Sequence, residues 1–218
     1  MSLHARLALT ALAAALLAGC ATTAPAPTGS AAPVASPESA DDPADRVAFF
    51  VHHARNGECA EVLKAIDGGM PIDAVDPLDQ TALVATISQQ HEDCALELLA
   101  RNASVSTRDP AGWTPLLFAA FFDASPKVVA ALVQHGADSD AQNDRGVTAL
   151  HIAAGAGNEI LVALLLGQGA NRDLATRSGY TPLRLAQTKG LKNVAALLEK
   201  PLPARTAAGA ATTRASAP

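Results

Sequence analysis

Residues 146–154 read Gly-Val-Thr-Ala-Leu-His-Ile-Ala-Ala, and residues 157–170 continue Gly-Asn-Glu-Ile-Leu-Val-Ala-Leu-Leu-Leu-Gly-Gln-Gly-Ala. Two short apolar stretches with a Gly-Asn break between them predict two helices joined by a turn. Outward from this stretch, Thr148-Ala149-Leu150 has counterparts in Thr81-Ala82-Leu83, Thr114-Pro115-Leu116 and Thr181-Pro182-Leu183, at intervals of 33, 34 and 33 residues. Gly69, Asn102, Gly136 and Gly169 repeat at the same intervals, each just past an apolar stretch, where a left-handed helix C-terminus is wanted. A phased period of this length signals a solenoid of stacked supersecondary units.

The residues of the fourth unit resemble the ankyrin repeat: Thr148-Ala149-Leu150-His151-Ile152-Ala153-Ala154, the turn Gly157-Asn158, the helix bearing Leu161, Val162, Leu165 and Leu166, then Gly169-Ala170. The resemblance implies an all-α ankyrin-repeat solenoid of about five helix-turn-helix repeats with hairpin loops. The repeats fall at about 42–75, 76–108, 109–142, 143–175 and 176–200. Thr81, Thr114, Thr148 and Thr181 are the motif threonines, and His151 stands at the motif histidine, where the resemblance implies a hydrogen-bonding role in the hairpin and helix start.

Elementary packing agrees with this. A helix pair with its apolar residues on one side, such as Leu96, Leu98 and Leu99, cannot bury that side alone, so neighbours must stack. Ala119-Ala120 and Ala153-Ala154 are small enough to let adjacent helices approach closely. Asp42 followed by Pro43 reads as an N-cap with proline in the first helical position. The first repeat has Phe49-Phe50-Val51 instead of the threonine motif, and the fifth is short and ends in Glu199-Lys200. Both predict capping repeats. In repeat two, Gln80, Gln90 and Asn102 stand near places where glycine is usual, which predicts looser turns, and one extra residue within 121–126 predicts a bulged turn in repeat three.

Ahead of the repeats, residues 1–19 read as a secretory signal: Arg6, an apolar run from Leu7 to Ala18, and small residues before a cysteine. The run is about a dozen residues, against roughly 20 for a spanning helix. Leu17-Ala18-Gly19-Cys20 resembles the lipobox of bacterial lipoproteins, which implies lipidation of Cys20, a membrane anchor through the lipid and, with Ala21 following, delivery to the outer membrane facing the periplasm. Residues 20–41 and 201–218 are dominated by Ala, Pro, Ser and Thr, a composition that predicts a flexible tether and a disordered tail.

The chain has 16 basic and 21 acidic residues and a net charge of −5, which argues against a nucleic-acid partner. It has no Gly-x-Ser-x-Gly elbow, no phosphate-cradling glycine loop and no His-Glu-x-x-His, so neither an enzyme nor a cofactor is expected. His52 and His53, as helical neighbours, diverge and make a poor metal pair, and no metal site is expected. Cys59 and Cys94 begin second helices of adjacent repeats, offset by two positions. Stacked helices lie roughly 10 Å apart, beyond disulfide reach without help from that offset, so free buried thiols are favoured while a disulfide stays open.

The resemblance places partners on a concave surface of hairpin tips and first helices, and implies a chain that binds another protein; a monomer is expected. The scarce aromatics mark where. Trp113 and Tyr180 precede motif threonines, Phe121 and Phe122 end the first helix of repeat three, and Arg145 on the next tip offers a planar fork to carboxylates. For these aromatics two readings stand: a partner-binding centre on repeat three, or packing of the Phe pair over the extended turn and of Trp113 against the next hairpin. Phe118 is expected in the core. Resemblance further implies a periplasmic lipoprotein that inhibits, or immunises against, a secreted phospholipase or toxin. The alternatives are an accessory role in oxidative-stress defence, or a structural spacer to the cell wall.

Overall fold

The structure, a computed structural model, describes residues 42–200. The signal-like segment, Cys20, the tether and the tail from 201 lie outside the described residues. Within them ten helices form five consecutive pairs. These are α1 Pro43–Asn56 with α2 Cys59–Asp67, α3 Ala82–Ser88 with α4 Glu92–Ala100, and α5 Pro115–Phe121 with α6 Pro126–Gln134. Then come α7 Ala149–Ala156 with α8 Glu159–Gly167, and α9 Pro182–Thr188 with α10 Lys192–Glu199.

Each first helix starts where its sequence provides a cap. The hydroxyls of Thr81, Thr114, Thr148 and Thr181 accept the N–H three residues on, from Val84, Leu117, His151 and Arg184. Asp42 accepts from Ala44 N–H, with Pro43 in the first turn. An uncapped helix N-terminus leaves donors unsatisfied, and losing such a cap costs about 1 kcal/mol.

Five left-handed residues, Gly57, Gln90, Asp123, Gly157 and Gly190, turn each first helix into its second, with φ between 58° and 76°. The looser turns expected in repeat two are not found. His91 N–H donates to the Thr86 carbonyl at 2.9 Å and Ala103 N–H to Leu98 at 3.0 Å, matching the Asn158 to Ala153 and Ala170 to Leu165 bonds of repeat four at 3.1 and 3.0 Å. Gln90 and Asn102 take up the left-handed geometry themselves, at about 1–2 kcal/mol each. Beside Gln80, the position where the other tips carry glycine is Asp79 (φ 58°), in line with Gly112, Gly146 and Gly179.

The extra residue of repeat three is Ala124, inserted between the left-handed Asp123 and the cap Ser125, whose hydroxyl accepts Val128 N–H. Elsewhere a side chain just after the turn lies over the preceding repeat's turn: the His91 ring sits 2.6 Å from where a Cβ of Gly57 would stand, and Leu191 3.2 Å from that of Gly157. The Ala124 methyl is too short to do this. A cleft of about 270 Å³ is left between Thr86, Gln90, His91 and Ser125.

Leucines from every pair except the first fill the interior, among them Leu83, Leu98, Leu117, Leu132, Leu150, Leu165 and Leu198, with Phe50 and Val51 serving the first. Each fully buried side chain of this size contributes about 1.5–3 kcal/mol. Ala85, Ala119, Ala120, Ala153, Ala154 and Ala186 are buried along the first-helix row, which packs more closely than the second-helix row.

Gly146 shows how tightly the tips are joined. Its φ is +73°, and a Cβ would come within 2.9 Å of the Arg177 nitrogen, whose N–H donates to the Arg145 carbonyl at 2.9 Å. Gly146→Ala is therefore expected to lose about 2–4 kcal/mol in urea unfolding, combining left-handed strain with a displaced hydrogen bond. Gly179→Ala, with equal φ but no atom within 4 Å of its Cβ, should lose only about 1–2 kcal/mol. Equal losses would contradict the contact argument.

Candidate partner-binding surface

Three of the four hairpin tips are built by one device, and the fourth by a reduced form of it. Asp76, Asp109 and Asn143 each accept two backbone N–H groups on one side-chain oxygen, from Leu78 and Gln80, Ala111 and Trp113, and Arg145 and Val147, at 2.7–3.0 Å. Thr176 accepts Tyr180 N–H at 3.2 Å. Such side-chain turns hold a tip without help from a sheet. Positions 76, 109, 143 and 176 keep the 33, 34, 33 spacing, a signal present in the sequence but overlooked in favour of the threonines.

Neighbouring tips are then tied together. Asp144 N–H donates to Ala111 at 3.1 Å, Arg177 N–H to Arg145 at 2.9 Å, and Arg108 reaches the Gln142 carbonyl at 2.9 Å. The first tip is anchored differently, by Arg55 to Asp76 and Gln80 at 3.1 and 3.0 Å. Between it and the second tip lies a slot of about 200 Å³, walled by Val75, Val84, Trp113 and Phe118. The buried Thr107 hydroxyl on its wall has no hydrogen-bond partner.

On this frame the aromatics of repeat three meet. The Trp113 ring lies 5.3 Å from Phe118 and 5.4 Å, edge-on, from Phe121; Phe121 meets Phe122 edge-on at 5.2 Å; Phe118 and Phe122 stack at 6.3 Å. Edge-to-face pairs of this kind add about 0.5–1.5 kcal/mol beyond area burial. The expectation that Phe118 is core is corrected here. Leu116, Leu117, Ala119 and Ala120 fill the inner side of α5, and Phe118 stays half-buried in the ring cluster. Phe121 is 59% exposed and Phe122 half-buried, its carbonyl accepting from Gln90 at 2.7 Å.

The cluster continues toward the first repeat in a way the sequence did not suggest. Val75 and Leu78 are exposed on the first tip and Phe49 on α1, and the last two border a depression of about 430 Å³ with His52 and Arg55. Among the described residues, six large hydrophobic side chains are exposed; five lie on tips or first helices, and Ile160 on α8 is the exception. Tyr180, on the last tip, lies under the Arg184 guanidinium at 4.9 Å from its ring centre, and Arg145 is exposed on the tip before it.

A family model described as ankyrin repeats (3 copies) matches residues 50–143 and 118–205, most of the chain. This chain belongs to the ankyrin-repeat family. It is 33% identical over 99 residues to protein phosphatase 1 regulatory subunit 27 of Mus musculus and of Homo sapiens, covering 45% of this chain and 64% of each relative. It is 28% identical over 99 residues to ankyrin repeat-containing protein P1E11.10 of Schizosaccharomyces pombe, covering 45% of this chain and 46% of that protein. The matched segment thus spans less than two thirds of these relatives.

Other singled-out residues serve the ankyrin frame. His151 is buried; its Nδ1 accepts Thr148 N–H at 3.2 Å and its Nε2 meets the Tyr180 carbonyl at 2.9 Å, linking a helix start to the next tip. Cys59 and Cys94 are free, Cys94 buried, and burial first and the Cys59 thiol second push the Cys94 thiol well up. His52 and His53 turn to different partners, Asn56 and Glu58. Among the described residues no cluster of three His, Cys, Asp or Glu side chains could hold a metal, and no helix is long and apolar enough to cross a membrane.

Burial lowers the His151 pKa below its ordinary 6.5, against the opposing pull of its carbonyl partners. The folded state favours neutral imidazole, so this contribution is complete above pH 6.5 and is lost as the pH falls through the lowered folded value. Urea midpoints between pH 7.5 and pH 5 should drop less in His151→Asn than in the unsubstituted protein. An equal drop would assign the acid sensitivity to other groups.

Proposed function

We propose that this ankyrin-repeat protein works by binding rather than catalysis: it holds a protein partner on its tip and first-helix side, at a bacterial envelope to which Cys20 tethers it. The observation that carries the reading is the placement of exposed apolar groups. Among the described residues five of six lie on tips or first helices, around a four-ring cluster containing the chain's only tryptophan. Exposed aromatics held rigidly by neighbours are what interface hot spots are made of, and a surface of scattered solvated residues would not sort itself this way.

An enzyme is the partner class best supported. The mouse and human relatives are named as regulatory subunits of a phosphatase, and the lipobox-like Leu17-Ala18-Gly19-Cys20 suggests a protein that waits at the membrane, where a phospholipase or a membrane-acting toxin would have to work. A tether of about 20 residues reaches roughly 25 Å, enough to lift the repeats off the bilayer and raise the local concentration of binding sites there. The monomeric chain needs no second copy for this. The oxidative-stress reading gains no support from Cys94, whose buried thiol is the opposite of a reactive one.

The test is capture from native envelope by the acylated protein. A specific enzyme or toxin should be retained, and Trp113→Ala combined with Phe121→Ala should weaken its binding by at least ~2 kcal/mol without moving the urea midpoint of the repeats enough to unfold them. Unchanged affinity would displace the interface from repeat three. Separately, Cys20→Ala should move the protein from the membrane fraction to the soluble fraction, and its retention in the membrane fraction would sink the anchor.

A further inference from the structure

Charge is divided unevenly along the stack. Residues 42–142 carry fifteen Asp and Glu against six Lys and Arg, whereas residues 143–200 carry four against seven. Ion pairing follows the same division. Arg55 with Asp76, Lys64 with Glu61, Arg101 with Asp67 and Glu97, and Lys127 with Glu92 all lie in the first three repeats. Among the described residues, no cation of the last two repeats has a carboxylate within ion-pair distance. Within the described residues, an acidic chain thus keeps a cationic end that no ion pair neutralises.

Three of these cations are carried by the last two tips and the helix that follows them. Arg145 and Arg177 occupy adjacent tips whose backbones are locked by the 2.9 Å bond between them, so two exposed arginines leave neighbouring points of the chain. Arg184 is laid on the Tyr180 ring at 4.9 Å, with a weak 3.5 Å bond to the Gly179 carbonyl, which orients a planar fork while leaving other N–H groups free. A guanidinium fixed against an aromatic face is suited to paired acceptance by a carboxylate, and less ordering is lost when that bond forms. The tip bonds Asp144 to Ala111 and Arg177 to Arg145 make this end continuous with the tip of Trp113.

From these observations we propose that Arg145, Arg177, Arg184 and Tyr180 receive a cluster of carboxylates on the same protein partner whose apolar side chains cover Trp113 and Phe121. The inference deepens the binding reading above and rests on it. The partner is an acidic segment with apolar anchors at one end, crossing the last three tips in a fixed direction. Apolar groups meet the ring cluster, and carboxylates lie one to two repeats further on. The acidic first repeats repel the charged end of such a segment, which makes the reverse orientation unfavourable.

Trp113 is the only tryptophan, so its emission reports occupancy of the ring cluster while the arginines are varied. Two repeats at roughly 8–10 Å each need a spacer of about six extended residues. The probe is a dye-labelled, tryptophan-free peptide with Leu-Leu-Phe, six Gly/Ser residues and four Glu, against the same peptide with four Lys. Binding of each to the full chain is read by dye anisotropy and by Trp113 emission.

The Glu peptide should bind saturably and change Trp113 emission. The Lys peptide should bind at least tenfold more weakly, as should the Glu peptide to an Arg145→Gln, Arg177→Gln, Arg184→Gln variant with an unchanged urea midpoint. Equal responses to both peptides would overturn this proposal while leaving the aromatic surface standing. Arginine-dependent anisotropy with silent Trp113 emission would place the acidic site apart from the ring cluster and overturn the shared partner. No binding of either peptide also overturns the proposal, as does arginine-dependent binding of anionic phospholipid vesicles in preference to the Glu peptide, which would make the patch a lipid contact. If the triple variant fails to fold, the comparison of Glu and Lys peptides on the unsubstituted chain still decides.

Discussion

No helix pair in this chain can bury its apolar side by itself, and the structure depends on that constraint. Helices of seven to nine residues, as all but α1 are, would be marginal in isolation; they persist because Leu98, Leu117, Leu132 and Leu165 are enclosed by the pairs on either side. The first-helix row carries alanines where the pairs meet, so it packs more closely than the second row.

Rigidity of that side comes from a second, smaller device. A single oxygen on Asp76, Asp109 or Asn143 gathers two N–H groups and fixes its tip, and backbone bonds from tip to tip carry the order along the stack. Positions on such a frame can vary without disturbing the core. That freedom is used here to collect Trp113, Phe118, Phe121 and Phe122 on repeat three and unpaired arginines on the repeats beyond. His151 joins the two systems, capping a helix start with one nitrogen and meeting the next tip with the other.

The fold was legible because repetition averages out local ambiguity. The threonine and left-handed series fix helix starts and ends at the same 33, 34, 33 spacing, and the interruption at Ala124 showed itself as a single extra residue. Gln90 and Asp123 were harder to read as turn residues, since a left-handed position need not be glycine when the surrounding bonds are strong enough to carry the strain. The candidate surface was half legible. Scarce aromatics at variable positions pointed to Trp113, Phe121 and Tyr180, but Phe118 looked like core because its neighbours Leu116, Leu117, Ala119 and Ala120 are core. Val75, Leu78 and Phe49 were missed because single apolar residues carry no period, and only the tip geometry shows that they face the same way.

The measurement that bears most directly on the central claim is hydrogen-exchange protection of the full chain with its captured envelope partner, compared with the chain alone. New protection is predicted over residues 109–122, 143–147 and 176–184, with α2, α4, α6 and α8 unchanged. Protection centred instead on the second-helix row around Ile160, with the tips exchanging as before, would contradict the account and put the partner on the opposite side of the stack.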